Sequence, residues 1–205
     1  MQRYTIEDKL GEGGMGVVYR ARQNDLDRLV AIKYLLPDGE LTETALKRFK
    51  REMDVLIALS HPNIIRVFDA GEADGKLFYV MEMLVAHDLG AIMHDKGMLA
   101  AEPVASVLVQ ILEALAYIHG QGIVHRDIKP ANIMLEENGR AVLMDFGLVR
   151  KVDGTMLTAE GKLLGTPRYF APEYIRGEEG TPSCDIWALG VVLYELLTGE
   201  RPFSG

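Results

Sequence analysis

A chain of 205 residues with 48% hydrophobic and 25% charged side chains has an ordinary globular composition, with length for one large domain or two small lobes. Its net charge of −8 weighs against nucleic acid as the main partner, because phosphate binding favours a basic surface. A single cysteine, Cys184, excludes an intrachain disulfide and a cysteine-based zinc site, and reads as a small buried apolar residue.

The N-terminal MQRYTIEDKL lacks the apolar core of a signal peptide. Residues 17–22 (VVYRAR) and 29–35 (LVAIKYL) are β-branched runs joined by the turn-like NDLDR. A helix fits 42–59, where Leu46, Phe49, Met53, Leu56 and Ile57 make one face. SHPN breaks it, and IIRVFDAG and KLFYVMEM read as two more strands. From about residue 88 the character becomes helical. Residues 101–119 form an amphipathic helix, whose apolar run VASVLVQILEALAYI is broken by Gln110 and Glu113 before it could cross a bilayer. Short apolar runs follow at 133–135 and 141–144, and 145–173 shows little periodicity. The last helix, 185–198, is apolar nearly all round and is expected to be buried on most sides. The segment reads as cytosolic.

Five stretches carry chemistry. LGEGGMGVV contains G-x-G-x-x-G at Gly11, Gly13 and Gly16, a pattern that lets backbone approach phosphate oxygens. A dinucleotide-binding fingerprint needs a helix next, but VVYRARQ reads as a strand, so that alternative falls. Lys33 in VAIK shares a strand face with Ala31. Glu52 lies among Phe49, Met53 and Leu56, where a carboxylate is costly unless paired. Lys33 is its candidate partner, and a position at the edge of the face, reaching water, is the alternative. In HRDIKPAN, Pro130 denies a regular helix to His125, Arg126, Asp127, Lys129 and Asn132. An exposed loop is one reading; a rigid loop that gathers a base, a cation and a metal ligand is the other. Asp145 in MDFGLVR directly follows an apolar run. A carboxylate there suits a hard cation such as magnesium, which Asn132 could share, leaving Asp127 to take a hydroxyl proton.

These motifs in this order resemble the catalytic domain of eukaryotic-type serine/threonine protein kinases, especially bacterial members. The quoted residues are the Gly-rich loop Gly11–Val18, Lys33, Glu52, His125-Arg126-Asp127, Lys129, Asn132, Asp145-Phe146-Gly147, Ala171-Pro172-Glu173 and Asp185. The resemblance implies an α+β bilobal fold: an N-terminal lobe (1–84) of antiparallel sheet with one main helix, and a mainly helical C-terminal lobe (85–205), incomplete after the helix 185–198. It implies ATP and magnesium as cofactors, protein Ser/Thr hydroxyls as acceptors, and Asp127 as the base. Lys129 neutralises the moving phosphoryl group, Asn132 and Asp145 hold magnesium, and Lys33, paired with Glu52, anchors the α/β-phosphates. Met81 resembles the gatekeeper. Glu82 and Leu84 offer backbone groups to adenine, Val18, Ala31 and Met134 sandwich the ring, and Asp88 meets the ribose. Leu56, Val67, His125 and Phe146 resemble an apolar spine with Asp185 at its base, and Thr166 bridges to the substrate site. His61, His87, His94 and His119 receive no role.

Regulation is also implied. Arg126, Arg48 and Arg150 would gather around a phosphate on Thr155 or Thr158, placed there by self-association and trans-autophosphorylation. Arg48 has an equally good reading as part of the solvated run KRFKRE. Three departures stand out. The chain stops at RPFSG, before the family's further helices and the arginine that pairs with the glutamate matching Glu173. That predicts an open apolar surface on the last helix. Ala86 stands where relatives often have glycine. Ala131 removes a carboxylate that some basic-directed relatives use. A non-catalytic reading, a pseudokinase or nucleotide-binding fragment, stands beside the enzyme.

Overall fold

The β-branched runs of the first third pair into an antiparallel sheet in the order β1-β2-β3-β5-β4, made of β1 (Tyr4–Gly13), β2 (Gly16–Gln23), β3 (Arg28–Leu35), β4 (Val67–Ala73) and β5 (Lys76–Glu82). The computed structural model describes residues 3–13, 16–35, 42–146 and 167–203. The chain divides into two units, Met1–Ser60 with Ile65–Leu84, and His61–Ile64 with Val85–Gly205.

In the first unit Tyr4, Ala21, Val30, Ile32 and Val80 form the buried face of the sheet, flanked by Tyr34, Phe68 and Phe78. Helix α1 (Glu43–Ala58) buries Phe49, Met53 and Leu56, the stripe its spacing predicts. The β4–β5 hairpin turns on Asp74 and Gly75, both at positive φ (52° and 71°), the geometry of a two-residue turn matched to strand twist. β1 is absent from the sequence reading. It is an edge strand, exposed beyond Tyr4 and rich in charge, so it carries no apolar alternation, and its pairing with β2 defines it. The strand read from IIRVFDAG begins only at Val67.

The second unit holds β6 (Ala86–Asp88), α2 (Leu89–Lys96), α3 (Ala101–His119), β7 (Ile133–Glu136), β8 (Ala141–Leu143), α4 (Pro172–Ile175) and α5 (Pro182–Thr198). β6, β7 and β8 make a small antiparallel sheet. By length and composition α3 is long and apolar enough to cross a membrane, a correction to the reading that Gln110 and Glu113 rule this out. Its place is nevertheless in a protein core: Val107, Ile111, Leu115 and Ile118 are buried. Gln110 accepts from Asn63 Nδ2 at 2.7 Å and from the Ala141 N–H at 2.9 Å. Asn63 Nδ2 also donates to the Ala141 carbonyl at 2.8 Å, which ties His61–Ile64 to this unit.

α5 starts three residues before the predicted 185, because Pro182 in its first turn is compatible with a helix start. It ends on Gly199 in the left-handed region (φ 74°), whose N–H reaches the Glu195 carbonyl. Leu189, Val191, Val192 and Leu196 are buried, whereas Ile186, Trp187 and Tyr194 are exposed. The helix is thus covered on fewer sides than its composition suggests. Trp187 stacks on exposed Phe203 with centroids 5.6 Å apart.

Candidate active site

The loop after α3 leads through His125, Asp127 and Asn132, all at most 5% exposed, to the 3-10 turn Pro130–Asn132 and β7. Its anchor is Asp185, on the first turns of α5 and 1% exposed. One carboxylate oxygen accepts from the Arg126 N–H at 2.8 Å, and the other from the His125 N–H at 2.8 Å. Arg126 stands at φ 67°, a strained region for a residue with a Cβ, and the Asp185 clamp holds it there.

His125 fixes the loop from the other side. Its Nδ1 accepts the Asp127 N–H at 3.2 Å, and its Nε2–H donates to the Met144 carbonyl at 2.9 Å. That bonding demands the neutral ring. Burial, the dominant influence, pushes its pKa below the ordinary 6.5, against the opposing pull of Asp185 and the Met144 carbonyl. The ring packs against Phe146 at 4.7 Å.

The clamped loop presents a polar cluster. Asp127 Oδ2 accepts from Lys129 Nζ at 2.9 Å and from Asn132 Nδ2 at 2.9 Å, and Asn132 Nδ2 also donates to the Asp127 carbonyl at 2.8 Å. With its NH2 turned to Asp127, the Asn132 amide directs Oδ1 the other way. The Met144 N–H donates to the Asn132 carbonyl at 2.8 Å, which sets the next residue, Asp145 (φ 49°), beside Asn132. One amide oxygen and one carboxylate form a hard-oxygen set that fits magnesium, an ion that takes few protein ligands and completes its shell with phosphate and water. Among the described residues no cluster of three His, Cys, Asp or Glu side chains offers a fuller cage.

On the first unit, strand register places Val18 opposite Lys33 and Ala31 opposite Met81. Val18, Ala31, Lys33 and Met81 therefore share one sheet face, away from the Val30–Ile32 core. Lys33 is 7% exposed, with Nζ 6.0 Å from the Tyr79 ring centroid. Glu52 is half-buried on α1. Gly11 and Gly13 pair with Val18 and Gly16 in the β1–β2 hairpin. Gly16 is required by the fold, since at φ 141° an added Cβ would stand 2.0 Å from the Tyr34 carbonyl oxygen. At Gly11 and Gly13 a Cβ would meet nothing within 4 Å among the described residues, so packing does not explain them. The Glu82 N–H donates to the Arg66 carbonyl at 2.9 Å, and Leu84 ends the unit.

Asp88 and Met134 are cross-strand neighbours in the second unit. The Asp88 carboxylate also caps α2, accepting the Ala91 N–H at 2.9 Å, a structural duty absent from the sequence reading.

The protein kinase domain family matches residues 4–205. This chain is a member of that family. The kinase domain is 38% identical over 204 residues to the probable serine/threonine-protein kinase PknB of Lactococcus lactis, covering 99% of this chain and 32% of that protein. To the serine/threonine-protein kinase PrkC of Bacillus subtilis it is 40% identical over 203 residues, covering 99% and 31%. It matches the crystal structure of the Mycobacterium tuberculosis PknI kinase domain with a TM-score of 0.81 and 31% identity, covering 98% of this chain and 75% of that one. The chain thus spans about a third of the curated relatives' length.

The kinase domain contains contacts that sequence reasoning missed. His119, left without a role, donates from Nε2 to Asp185 Oδ2 at 2.8 Å, a third hold on the anchor. His61 accepts the Asn63 N–H at 3.1 Å and packs on Tyr117. The signal for His119 was available only in part: a histidine closing an apolar helix is visible, its partner 66 positions away is not. Arg48 is exposed. Gly147, Arg150, Thr155, Thr158 and Thr166 lie outside the described residues.

Proposed function

We propose that this domain transfers the γ-phosphoryl group of ATP to serine and threonine hydroxyls of proteins. The observation that carries the reading is the clamped cluster in which Asn132 and Lys129 both bond Asp127 Oδ2. Asp127 orients the acceptor hydroxyl and takes its proton as the oxygen attacks the γ-phosphorus. The bond to the β-phosphate oxygen breaks, and ADP leaves with that electron pair. Lys129 brings positive charge to the side of Asp127 that the phosphoryl group passes, and Asn132 holds the carboxylate in register. Asn132 Oδ1 and Asp145 hold magnesium, which when bound neutralises phosphate charge. Lys33, paired with Glu52, steadies the α/β-phosphates under the bare backbone of Gly11, Gly13 and Gly16. Val18, Ala31, Met81 and Met134 contact adenine, the Glu82 carbonyl and Leu84 backbone bond its edge, and Asp88 meets the ribose.

Residues 1–84 and 85–205 serve as the nucleotide-anchoring and the transfer halves. We place the domain in the cytosol, where ATP is available, and propose that copies phosphorylate one another at Thr155 or Thr158. The test is transfer from radiolabelled ATP to a generic Ser/Thr acceptor such as dephosphorylated casein. Lys33→Met and Asp127→Asn should each reduce it to background, and full activity in either variant would overturn the assignment.

A further inference from the structure

Besides Asp185 near its start, α5 buries a second carboxylate, Glu195, toward its C-terminal end. Glu195 is 7% exposed, and its two oxygens have different partners. Oε2 accepts the Tyr169 O–H at 2.6 Å, and Oε1 accepts from Arg201 Nε at 2.9 Å. The partners come from opposite directions. Tyr169 is buried and closes the 3-10 turn Pro167–Tyr169. Arg201 reaches in from the surface, its side chain 38% exposed against 9% for Glu195. The return of the chain at Gly199, in the left-handed region, and the Glu200 N–H bonded to Thr198 Oγ1 at 3.2 Å, bring Arg201 back over the end of the helix.

Tyr169 is placed where it matters for the reaction proposed above. Tyr169 and Phe170 line the same small cavity as Arg126 and Ile128, the residues on either side of Asp127. A protein segment that offers a hydroxyl to Asp127 therefore approaches past this turn. The turn has its own hydrogen bond, Phe170 N–H to the Pro167 carbonyl at 3.0 Å, and Phe170 packs edge-on against Tyr174 in a buried cluster with Ala171 and Cys184; the Tyr169–Glu195 bond is the tie that fixes the turn to α5. The Arg201 guanidinium holds one oxygen of the carboxylate by a charge-assisted bond, and the other oxygen in turn fixes the phenol. Burial, with Glu195 adding to it, holds the Tyr169 phenol above the ordinary tyrosine range, so it remains a donor.

We propose that Arg201 is a positioning residue for the protein substrate: by fixing Glu195 through a charge-assisted bond it holds Tyr169, and so the turn beside Asp127, in place for the incoming hydroxyl. This rests on the kinase reading. Arg201 touches neither nucleotide nor hydroxyl in this scheme, so its effect should fall on the acceptor and spare ATP.

The experiment compares the unaltered chain with Arg201→Ala, Arg201→Lys and Tyr169→Phe, using dephosphorylated casein and ATP as the varied substrates. Arg201→Ala should raise KM for casein about tenfold, the scale of one lost charge-assisted hydrogen bond, and leave KM for ATP within about twofold. Arg201→Lys, which restores a cation, should recover most of the loss. Tyr169→Phe combined with Arg201→Ala should be no worse than either alone, because both act through one contact. Hydrogen exchange supplies a readout without turnover: in Arg201→Ala the Phe170, Ile175 and Arg176 amides should exchange faster while the Ile111 and Leu115 amides of α3 do not. Equal losses in both KM values, failure of lysine to rescue, or unchanged exchange at Phe170 would each overturn the proposal. General loosening that includes α3 would also overturn it, in favour of a purely structural role. If the unaltered chain transfers no phosphate to casein, the kinase reading fails on that result alone, and the exchange data still decide whether Arg201 holds the turn.

Discussion

Asp185→Ala removes the acceptor for the His125 and Arg126 N–H groups and for the His119 ring, all at 2.8 Å. A hydrogen bond to a charged group contributes about 1.5–3 kcal/mol, and a stranded buried donor costs about 1–3 kcal/mol. The three bonds share one carboxylate and are not additive. Removing that buried charge also recovers part of its own desolvation. Taking the low end for each gives a net loss of about 3 kcal/mol, to which release of Arg126 from its strained φ adds no penalty. Against a domain margin of about 5–15 kcal/mol this is large but survivable. Urea unfolding followed by the fluorescence of the single tryptophan, Trp187, measures the loss directly. Turnover should fall further than stability, because Asp127 follows the two clamped residues in sequence and takes its orientation from them. Asp185→Asn keeps one acceptor oxygen and turns an NH2 toward a donor, so it should lie between. An alanine variant within about 0.5 kcal/mol of the parent, the range of an inert surface change, would show that Asp185 does not anchor the loop.

The buried neutral ring of His125 predicts a pH dependence of stability. Its folded pKa lies below the ordinary 6.5, so between those values the unfolded chain holds more protons; stability is full above about 6.5 and falls as the pH drops toward the folded value. Urea midpoints at pH 7.5 and 5.5 should show this extra acid loss in the parent and not in His125→Phe, and equal slopes would exclude His125 as its source. Asp145→Ala should abolish transfer while shifting stability by no more than about 1 kcal/mol, since it removes a half-buried carboxylate and no core contact; calorimetric titration with magnesium and ATP should lose its magnesium requirement. Gly16→Ala should destabilise by about 2–4 kcal/mol, because its Cβ meets a backbone oxygen in a left-handed conformation. Gly11→Ala, whose Cβ meets nothing within 4 Å among the described residues, should keep its melting temperature and weaken ATP binding. Mass spectrometry after incubation with ATP should find phosphate at Thr155 or Thr158, and activity indifferent to alanine at both would remove the proposed switch.

Where residues of the site sit close together in the chain, they could be read directly. Asp127, Lys129 and Asn132 fall within six positions around Pro130, and in the structure Lys129 and Asn132 both bond Asp127. Ala31 and Lys33 share a strand face by alternation, whereas Val18 and Met81 came only from the family resemblance; Met81 stands opposite Ala31 through pairing of β3 with β5 across the intervening α1 and β4. Glu52 shows the boundary of such reading: a carboxylate on an apolar helix face signals a need for a partner, and Lys33 is the partner proposed for it. Glu195 carried the same signal inside VVLYELL and was passed over. Its partners, Tyr169 and Arg201, stand 26 positions before it and 6 after it, on segments without helical or strand period. β1 and α2 escaped for another reason. An exposed edge strand has no buried alternation to betray it, and a short helix capped by Asp88 has too few turns to show a stripe.

What the sequence determined by itself is the local chemistry: a Gly-rich loop, two lysines and four carboxylate or amide groups in ordered motifs, and helices and strands whose apolar period matches their buried faces. These are properties of neighbouring residues, and covalent geometry transmits them along the chain. Only the tertiary structure decided how the chemistry is held. Asp185 reaches the catalytic loop from 60 positions away, His119 reaches Asp185 from the end of α3, and Arg201 meets Glu195 through a left-handed turn. Each contact serves a buried carboxylate, Asp185 or Glu195, whose cost is met only by donors within about 3 Å, and the choice of those donors follows from how the elements pack, which no local spacing records.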